Sequence, residues 1–142
     1  MFMINRSVPI LFWNVRGLGQ SDRCSEVKRL LTAHKPSIAC FQESKLSDIS
    51  HFKKLSFLPA HLQSLVFLPS VGASGGLITA WSDSNFELVD HSLGSFLLTT
   101  RFHARASDLS FDITNVYGPC VGSLKPAFLD ELASIAADIA GA

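Results

Sequence analysis

The chain has 142 residues, of which 47% are hydrophobic and 17% are charged, and its formal net charge is zero. This length predicts one compact domain. The charged fraction is low, since about a quarter of the residues in a soluble domain are usually charged. A neutral chain lacks the broad basic surface of an autonomous nucleic-acid-binding domain, although a small phosphate-binding cleft does not require a net positive charge.

Targeting and redox features of the sequence favour an intracellular protein. They do not distinguish the nucleus from the cytoplasm. No apolar stretch reaches the roughly 18 residues that cross a bilayer, so no membrane partner is expected. The apolar N-terminus is interrupted by Asn5-Arg6-Ser7 and lacks a small-residue cleavage site, which argues against a secretory signal. The cysteines are odd in number and widely spaced, and we interpret them as reduced thiols: Cys24, Cys40 and Cys120.

The N-terminal third predicts a β-α-β unit. Residues 10–14 and 38–43 are short apolar runs of the kind found in strands buried on both faces. A helix is predicted between them from about Asp22 to His34, with Ser21 as its N-cap. One apolar stripe along this helix is formed by Cys24, Val27, Leu30 and Leu31.

The remainder of the chain predicts mainly strands, followed by a helix. The spacing of Ile49, Phe52 and Leu55 allows a short helix that Pro59 ends. Apolar residues then recur at helical spacing from Phe128 towards the C-terminus. Strands are predicted at 65–68, 77–81, 86–91, 97–102 and 109–113. The overall prediction is an α+β domain with helices flanking a sheet sandwich.

Polar side chains end both N-terminal strand runs. Asn14 follows the first apolar run, and Glu43 follows the second. Ligands gather outside the carboxyl ends of such strands in open α/β sheets. Because both side chains offer oxygen atoms to a hard cation, the sequence indicates part of a metal and phosphate site.

Four short motifs, in this order along the chain, resemble those of the endonuclease/exonuclease/phosphatase (DNase I-like) superfamily. The resemblance is closest to the endonuclease domains of plant LINE-type (non-LTR) retrotransposons. The motifs are Trp13-Asn14-Val15-Arg16-Gly17-Leu18, Phe41-Gln42-Glu43-Ser44-Lys45-Leu46, Ala73-Ser74-Gly75-Gly76-Leu77 and Asn115-Val116-Tyr117-Gly118-Pro119. The resemblance implies a four-layer α/β/β/α sandwich, truncated so that residues 1–142 supply mainly its first half, with the motif-bearing region at 9–140.

The resemblance also implies a site for phosphodiester hydrolysis. Glu43 would bind the catalytic Mg²⁺, and Asn14 would hold the metal's ligand network or a phosphate oxygen. Tyr117 would contact the scissile phosphate through its hydroxyl, and DNA would be the substrate. Mg²⁺ suits this arrangement because it takes oxygen ligands from one or two carboxylates, with waters and substrate phosphate completing the octahedron.

Each of these residues also has a purely structural interpretation. Taken alone, a Glu at a strand end such as Glu43 is more often a solvated edge residue than a metal ligand. The Asn14 amide is also consistent with a hydrogen bond to its own backbone before a glycine turn. Tyr117-Gly118-Pro119 is consistent with a turn. The Gly75-Gly76 pair is interpreted as structural in either case, because it allows positive φ in a hairpin.

The later motifs of the superfamily are missing from the sequence. The family carries a Gly-Asp-Phe-Asn string and an Asp-His pair, both after its tyrosine. Asp90-His91 precedes Tyr117 and is interpreted as a coincidence on a strand, and residues 112–115 have the wrong spacing to substitute. The other histidines are interpreted as surface or helix-end residues: His34, His51, His61 and His103.

We therefore expect a truncated domain of retrotransposon origin that is inactive alone. Two alternatives stay open. The first is an active phosphodiesterase whose site is completed by another residue or by a second chain. The second is a non-enzymatic interaction module. Half a sandwich would leave apolar sheet surface and sheet edges exposed, which predicts self-association through that face.

Overall fold

The computed structural model describes residues 2–3, 8–72, 75–118 and 125–140, with side chains described over 8–72, 75–118 and 125–134. Two parts of the four motifs, Ala73-Ser74 and Pro119, lie outside the described residues, and so does Cys120.

The first sheet contains five strands in the order β1-β2-β3-β5-β4. Their bounds are β1 Phe2–Met3, β2 Ile10–Asn14, β3 Ile38–Gln42, β4 Ser64–Leu68 and β5 Leu77–Trp81. Strands β2 and β3 run parallel, whereas β3 with β5 and β4 with β5 are antiparallel. The parallel pair is connected through a helix, as the β-α-β prediction requires, and its two carboxyl ends therefore lie side by side.

The second sheet is an antiparallel meander of three strands in the order β6-β7-β8. Its strands are β6 Phe86–Leu93, β7 Leu97–Ala104 and β8 Ser110–Val116. All five strands predicted downstream of residue 64 are present, and those of the second sheet extend beyond their predicted ends. The alternation of apolar and polar residues in 86–91 and 109–113 fits this sheet, because one of its faces packs on the core while the other faces solvent.

The helices are α1 Ser21–His34, α2 His51–Phe57 and α3 Lys125–Ala140, with a 3-10 turn at Ala60–Leu62. The prediction that Ser21 is the N-cap of α1 is wrong. Gln20 occupies that position with an extended backbone, and its carbonyl accepts from the Cys24 N–H at 3.1 Å. Ser21 is therefore already helical, and no side chain caps the helix.

The short helix α2 agrees with the prediction but begins after Ile49. Ser50 is its N-cap, since the Ser50 hydroxyl accepts from the Lys53 N–H at 3.1 Å. Leu58 is extended, as expected for a residue before Pro59, and this ends the helix at Phe57.

Two hydrophobic layers hold the fold together. The first lies between the first sheet and helices α1 and α2, and it includes Leu11, Val27, Leu31, Phe41, Phe57 and Ile78. The second lies between the two sheets, and it includes Ile10, Ile38, Cys40, Trp81, Phe86, Phe102 and Ile113. Because the faces of β2 and β3 point into different layers, each strand is apolar on both sides, as its sequence predicts.

Helix α3 lies beside the turn between β6 and β7, at one end of the second sheet. The Glu131 carboxylate accepts from the backbone N–H groups of Ser95 and Phe96 at 3.1 and 3.2 Å. The rings of Phe96 and Phe128 meet edge to face at 5.7 Å. Among the described residues, no helix is both long and apolar enough to cross a membrane.

Candidate functional site

Asn14 and Glu43 lie at the same edge of the first sheet. Asn14 ends β2 and is paired in register with Gln42, the last residue of β3, and Glu43 follows directly. Backbone hydrogen bonds join the two following segments: Val15 N–H donates to the Gln42 carbonyl at 3.1 Å, and Gly17 N–H donates to the Glu43 carbonyl at 2.7 Å. The parallel pairing therefore brings the two predicted metal-side residues together.

Three residues of these segments have a left-handed backbone, which is uncommon without glycine. The φ angles are 53° at Arg16, 55° at Glu43 and 57° at Lys45. A residue held in this region costs on the order of 1–3 kcal/mol and persists only where the surrounding fold imposes it. Arg16 and Lys45 are exposed and Glu43 is half-buried, so the two strained segments carry one carboxylate and two cationic side chains.

The glycine hairpin packs directly against the segment that follows β3. The N–H groups of Ser44 and Lys45 donate to the carbonyls of Gly76 and Gly75 at 3.1 and 2.9 Å. Gly75 and Gly76 have φ angles of 80° and 92°, which confirms the predicted need for positive φ. A methyl group on Gly76 would overlap the Ser44 hydroxyl, and one on Gly75 would lie 3.6 Å from the Tyr117 ring.

Tyr117 reaches the same place from the second sheet. It follows the last residue of β8, and its N–H donates to the Phe96 carbonyl at 2.9 Å. Its half-buried ring lies against Gly75, whose carbonyl is bound by Lys45, two residues after Glu43. The structure thus brings Asn14, Glu43 and Tyr117 to three contacting segments, and we call this set of three residues the candidate site.

A buried hydrogen-bond network lies directly behind the candidate site. Asn115 is fully buried, and its amide nitrogen donates to the carbonyls of Phe41 and Ile78 at 3.2 and 3.0 Å. Its amide oxygen accepts from Gln42 Nε2 at 2.8 Å. No local pattern predicts the contact between Asn115 and Gln42, because 73 residues separate them along the chain.

Asn14 and Glu43 each offer an oxygen-bearing side chain at the candidate site. Glu43 supplies a half-buried carboxylate that takes part in neither of the ion pairs found among the described residues. The exposed Asn14 side chain accepts from the Arg16 N–H at 3.1 Å, which is the local backbone bond considered from the sequence. An amide oxygen has a second lone pair, so this bond fixes the Asn14 side chain and still leaves an acceptor free.

No set of three or more His, Cys, Asp or Glu side chains is arranged to hold a metal ion within the described parts of the chain. His34 and His51 lie at helix ends, as predicted. His61 lies half-buried in the 3-10 turn and donates from Nε2 to the Pro36 carbonyl at 3.1 Å, and His103 is half-buried on β7. Both lose exposure through tertiary packing, which the sequence pattern does not show.

Two acidic segments on the second sheet lie outside the candidate site. Asp90-His91 lies exposed on β6, as the interpretation of a coincidence on a strand requires. Asp112 lies on β8 and receives two hydrogen bonds from Arg101, at 2.8 and 3.2 Å. This pairing lowers the pKa of the Asp112 carboxyl below its usual value and commits that side chain to the sheet surface.

Comparison with solved structures places this arrangement in a known fold. An AP endonuclease from Leishmania major (LMAP) superposes with a TM-score of 0.61 at 22% identity over 76% of this chain. An AP endonuclease from Archaeoglobus fulgidus gives 0.54 at 23% identity over 77%. The catalytic domain of APE2 from Xenopus laevis gives 0.54 at 19% identity over 85%.

The chain has the DNase I-like fold. It spans 39%, 40% and 48% of the lengths of these three structures, so it corresponds to less than half of each. The fold implied by the four motifs is thereby confirmed. No protein-family model matches the chain, and no curated protein matches it.

Within the DNase I-like fold, sequence reasoning found the strand-end residues and missed what holds them. Nothing in the local sequence predicts the left-handed backbone at Glu43, because Glu is not a residue that favours this conformation. The buried Ser44 against Gly76 and the buried Asn115 were equally hidden. The Gly-Gly pair was the one local signal that a close backbone approach occurs here.

Proposed function

We propose that this chain carries the metal- and phosphate-binding half of a DNase I-like phosphodiesterase site. The observation that supports the proposal most strongly is the convergence of Asn14, Glu43 and Tyr117. Hydrogen-bonded segments from three strand ends bring these residues together on a fold shared with AP endonucleases. All other elements of the proposal depend on this placement.

Glu43 and Asn14 are proposed to hold a divalent cation, with Mg²⁺ the best match. A single carboxylate and an amide oxygen on a restrained backbone leave positions for water and for phosphate oxygen. When bound, Mg²⁺ would supply a positive charge that polarises a phosphodiester. The left-handed backbone at Glu43 and the Asn14 to Arg16 hydrogen bond would keep the two oxygen atoms oriented before any ion arrives.

Tyr117 is proposed to donate its hydroxyl hydrogen to a phosphate oxygen. Its ring packs against Gly75, where an added methyl group would lie in van der Waals contact with it at 3.6 Å. A donor held in place before substrate binding costs little reorganisation when negative charge develops on phosphate. The exposed Arg16 and Lys45 would add positive charge on either side of Glu43, which favours binding of a polyanion.

DNA is the proposed ligand, and a LINE-type retrotransposon of a plant is the proposed origin. The fold shared with AP endonucleases supports a nucleic-acid substrate in general. The finer proposal rests on the form of the first two motifs, in residues 13–18 and 41–46. We further propose that residues 1–142 are one partial domain, whose later catalytic motifs are absent.

We propose that the chain does not hydrolyse DNA by itself. Hydrolysis needs a group that takes a proton from the attacking water within hydrogen-bond reach. Among the described residues, no histidine or second acidic side chain joins Glu43 in a metal-binding set. Asp112 is paired with Arg101, so it is not available at the candidate site.

The test separates binding from cleavage. Mn²⁺ binding is measured by electron paramagnetic resonance on the wild type, Glu43→Ala and Glu87→Ala, the last being a matched exposed Glu on β6. We expect binding by the wild type and Glu87→Ala and a loss of at least roughly tenfold in Glu43→Ala. Equal binding by all three proteins would refute the assignment of Glu43.

Cleavage is measured by plasmid nicking with Mg²⁺, with and without EDTA. We expect no nicking above background by any of the three proteins. Nicking that EDTA abolishes and that Glu43→Ala lacks would overturn the proposed inactivity, and it would favour the alternative of a completed, functioning site.

A second candidate role is self-association or partner binding without catalysis. Three large apolar side chains of the second sheet and its connections are about half exposed: Val89, Leu93 and Leu109. Such surface favours association when it is contiguous. Gel filtration coupled to light scattering tests this role, and a monomer at all concentrations would count against it.

A further inference from the structure

We propose that Asn115 is a positioning residue that sets where Tyr117 lies relative to Glu43. This inference rests on the proposed function, in which Glu43 binds the cation and Tyr117 binds phosphate. Asn115 touches neither ligand. It would act through the hydrogen bonds that fasten the second sheet to the first sheet next to the candidate site.

Among the described residues, the side-chain hydrogen bonds of Asn115 all go to the opposite sheet. It lies on β8, whereas its partners Phe41, Gln42, Ile78 and Thr79 lie on β3 and β5. Its Nδ2 donates to the Phe41 and Ile78 carbonyls at 3.2 and 3.0 Å and approaches Thr79 Oγ1 at 3.4 Å. Its Oδ1 accepts from Gln42 Nε2 at 2.8 Å. We call these four contacts the Asn115 bridge.

The Asn115 bridge joins positions adjacent to both halves of the candidate site. Gln42 immediately precedes Glu43, and Asn115 lies two residues before Tyr117. The backbone bond from Tyr117 N–H to the Phe96 carbonyl, just before β7, ties Tyr117 to its own sheet, while its ring packs on Gly75 in the connection between β4 and β5 of the first sheet. The separation of Tyr117 and Glu43 therefore depends on how the two sheets are fastened at this point.

Apolar packing alone does not fix that separation closely. The layer between the sheets is largely aliphatic and aromatic, and hydrophobic contacts have little directional preference. Hydrogen bonds weaken steeply when distance or angle departs from the optimum, so a fully buried amide with partners on two adjacent strands resists sliding of one sheet over the other. A buried amide is costly unless it is paired, and Asn115 is paired through both its nitrogen and its oxygen.

The two halves of the site should respond differently to loss of this bridge. Asn14 and Glu43 both follow strands of the first sheet and are joined by their own backbone bonds. Tyr117 alone belongs to the second sheet. Removing the bridge should therefore leave cation affinity intact and weaken phosphate binding, whereas a merely structural defect would lower both or neither.

The experiment is a double-mutant cycle between Asn115→Leu and Tyr117→Phe. Mn²⁺ affinity is measured by electron paramagnetic resonance. Inorganic phosphate binding to the Mn²⁺-loaded protein is measured by the broadening of its ³¹P resonance. Circular dichroism checks that every variant is folded. Thr100→Val is the matched control, because Thr100 is fully buried in the second sheet and its hydroxyl donates to the Ile113 carbonyl within that same sheet.

We expect Asn115→Leu to keep its Mn²⁺ affinity within about twofold and to lose phosphate affinity by roughly tenfold, the size of a lost hydrogen bond to a charged group. Tyr117→Phe should lose a similar factor, and the double variant should lose little more than either single variant. Thr100→Val should match the wild type in both measurements.

Three results would decide against the inference or its basis. Absence of Mn²⁺ binding by the wild type would refute the proposed function and with it this inference. Normal Mn²⁺ binding with unchanged or fully additive phosphate losses would refute the positioning role alone. If Asn115→Leu fails to fold, Gln42→Met is the second variant, because it removes the 2.8 Å hydrogen bond from the half-buried Gln42 side chain to Asn115. It should give the same selective loss of phosphate affinity. A phosphate affinity equal to that of the wild type would then refute the positioning role.

Discussion

The Gly17 N–H donates to the Glu43 carbonyl at 2.7 Å, and this bond joins the segments that follow two parallel strands. This bond involves only the backbone carbonyl of Glu43, so the Glu43 carboxylate takes no part in it. The same residue has a φ angle of 55°, so its orientation is imposed by the neighbouring segment. The site geometry is therefore a property of two loops held together, and mutations on either loop should affect it.

Replacing Gly76 by alanine should destabilise the fold. The new methyl group would overlap the Ser44 hydroxyl, would lie 3.3 Å from the Lys45 backbone nitrogen, and would occupy a backbone with φ of 92°. We expect a loss of about 1–3 kcal/mol in the free energy of unfolding, measured by urea denaturation. Gly19→Ala is the control, because nothing lies within 4 Å of its added methyl group. Equal stability of the two variants would contradict the close-contact argument.

Replacing Glu43 by glycine should stabilise the protein while removing the proposed ligand. Glycine adopts the left-handed region without the Cβ penalty, which is roughly 1–2 kcal/mol. We expect a gain of about 1 kcal/mol in unfolding free energy, offset in part by the entropy of a glycine in the unfolded chain. Glu87→Gly on β6 should instead destabilise, because glycine weakens a strand. A loss of stability in both variants would show that the Glu43 backbone is not strained.

Truncating Phe102 should cost far more stability than truncating Phe52. Phe102 is fully buried between the sheets, with ring centroids 5.3 Å from Trp81 and 5.9 Å from Phe111. Phe102→Ala should lose about 3–5 kcal/mol of unfolding free energy. Phe52 on α2 is 86% exposed, and Phe52→Ala should change stability by less than about 0.5 kcal/mol. Chemical denaturation of both variants tests the assignment of the inter-sheet core.

Acid should weaken the contribution of the Arg101–Asp112 pair. The hydrogen bond from Arg101 lowers the pKa of the Asp112 carboxyl in the folded state. A group whose pKa is lower when folded adds stability above its unfolded pKa of about 3.9, and that stability is lost as pH falls through the folded pKa. The effect should be small, because both side chains are partly exposed.

The measurement is unfolding free energy from about pH 6 down to about pH 2 for wild type and Asp112→Asn. The difference between the two should shrink towards the acid end. In an Arg101→Gln background the same substitution should give no such trend. A difference that grows on acidification would contradict the assigned direction of the pKa shift.

Cys40 should resist alkylation in the native protein. Burial raises the pKa of the Cys40 thiol to about 12, although a hydrogen bond from Thr79 lowers it slightly. The thiolate is the reactive form, so iodoacetamide at about pH 8 should modify Cys40 only after the protein opens. Peptide mass spectrometry follows the modification, with the urea-unfolded chain as the reference. Native-state modification at the unfolded rate would show that the β3 thiol is accessible.

Much of the secondary structure could be predicted because it follows from local pattern. The β-α-β unit, the five downstream strands and the C-terminal helix all follow from hydrophobic periodicity. The error at Ser21 has a local cause, since Ser is a good N-cap residue but the extended Gln20 backbone begins the helix earlier.

The sequence by itself determined that polar residues end two buried strands, and that four motifs of the DNase I-like type occur in order. Periodicity and motif order are local properties, so they can be read without a fold. Only the tertiary structure decided that Glu43 has a left-handed backbone, that Tyr117 packs on Gly75, and that Asn115 joins the two sheets behind them. These relationships depend on contacts between segments far apart in the chain, and no local propensity encodes such contacts.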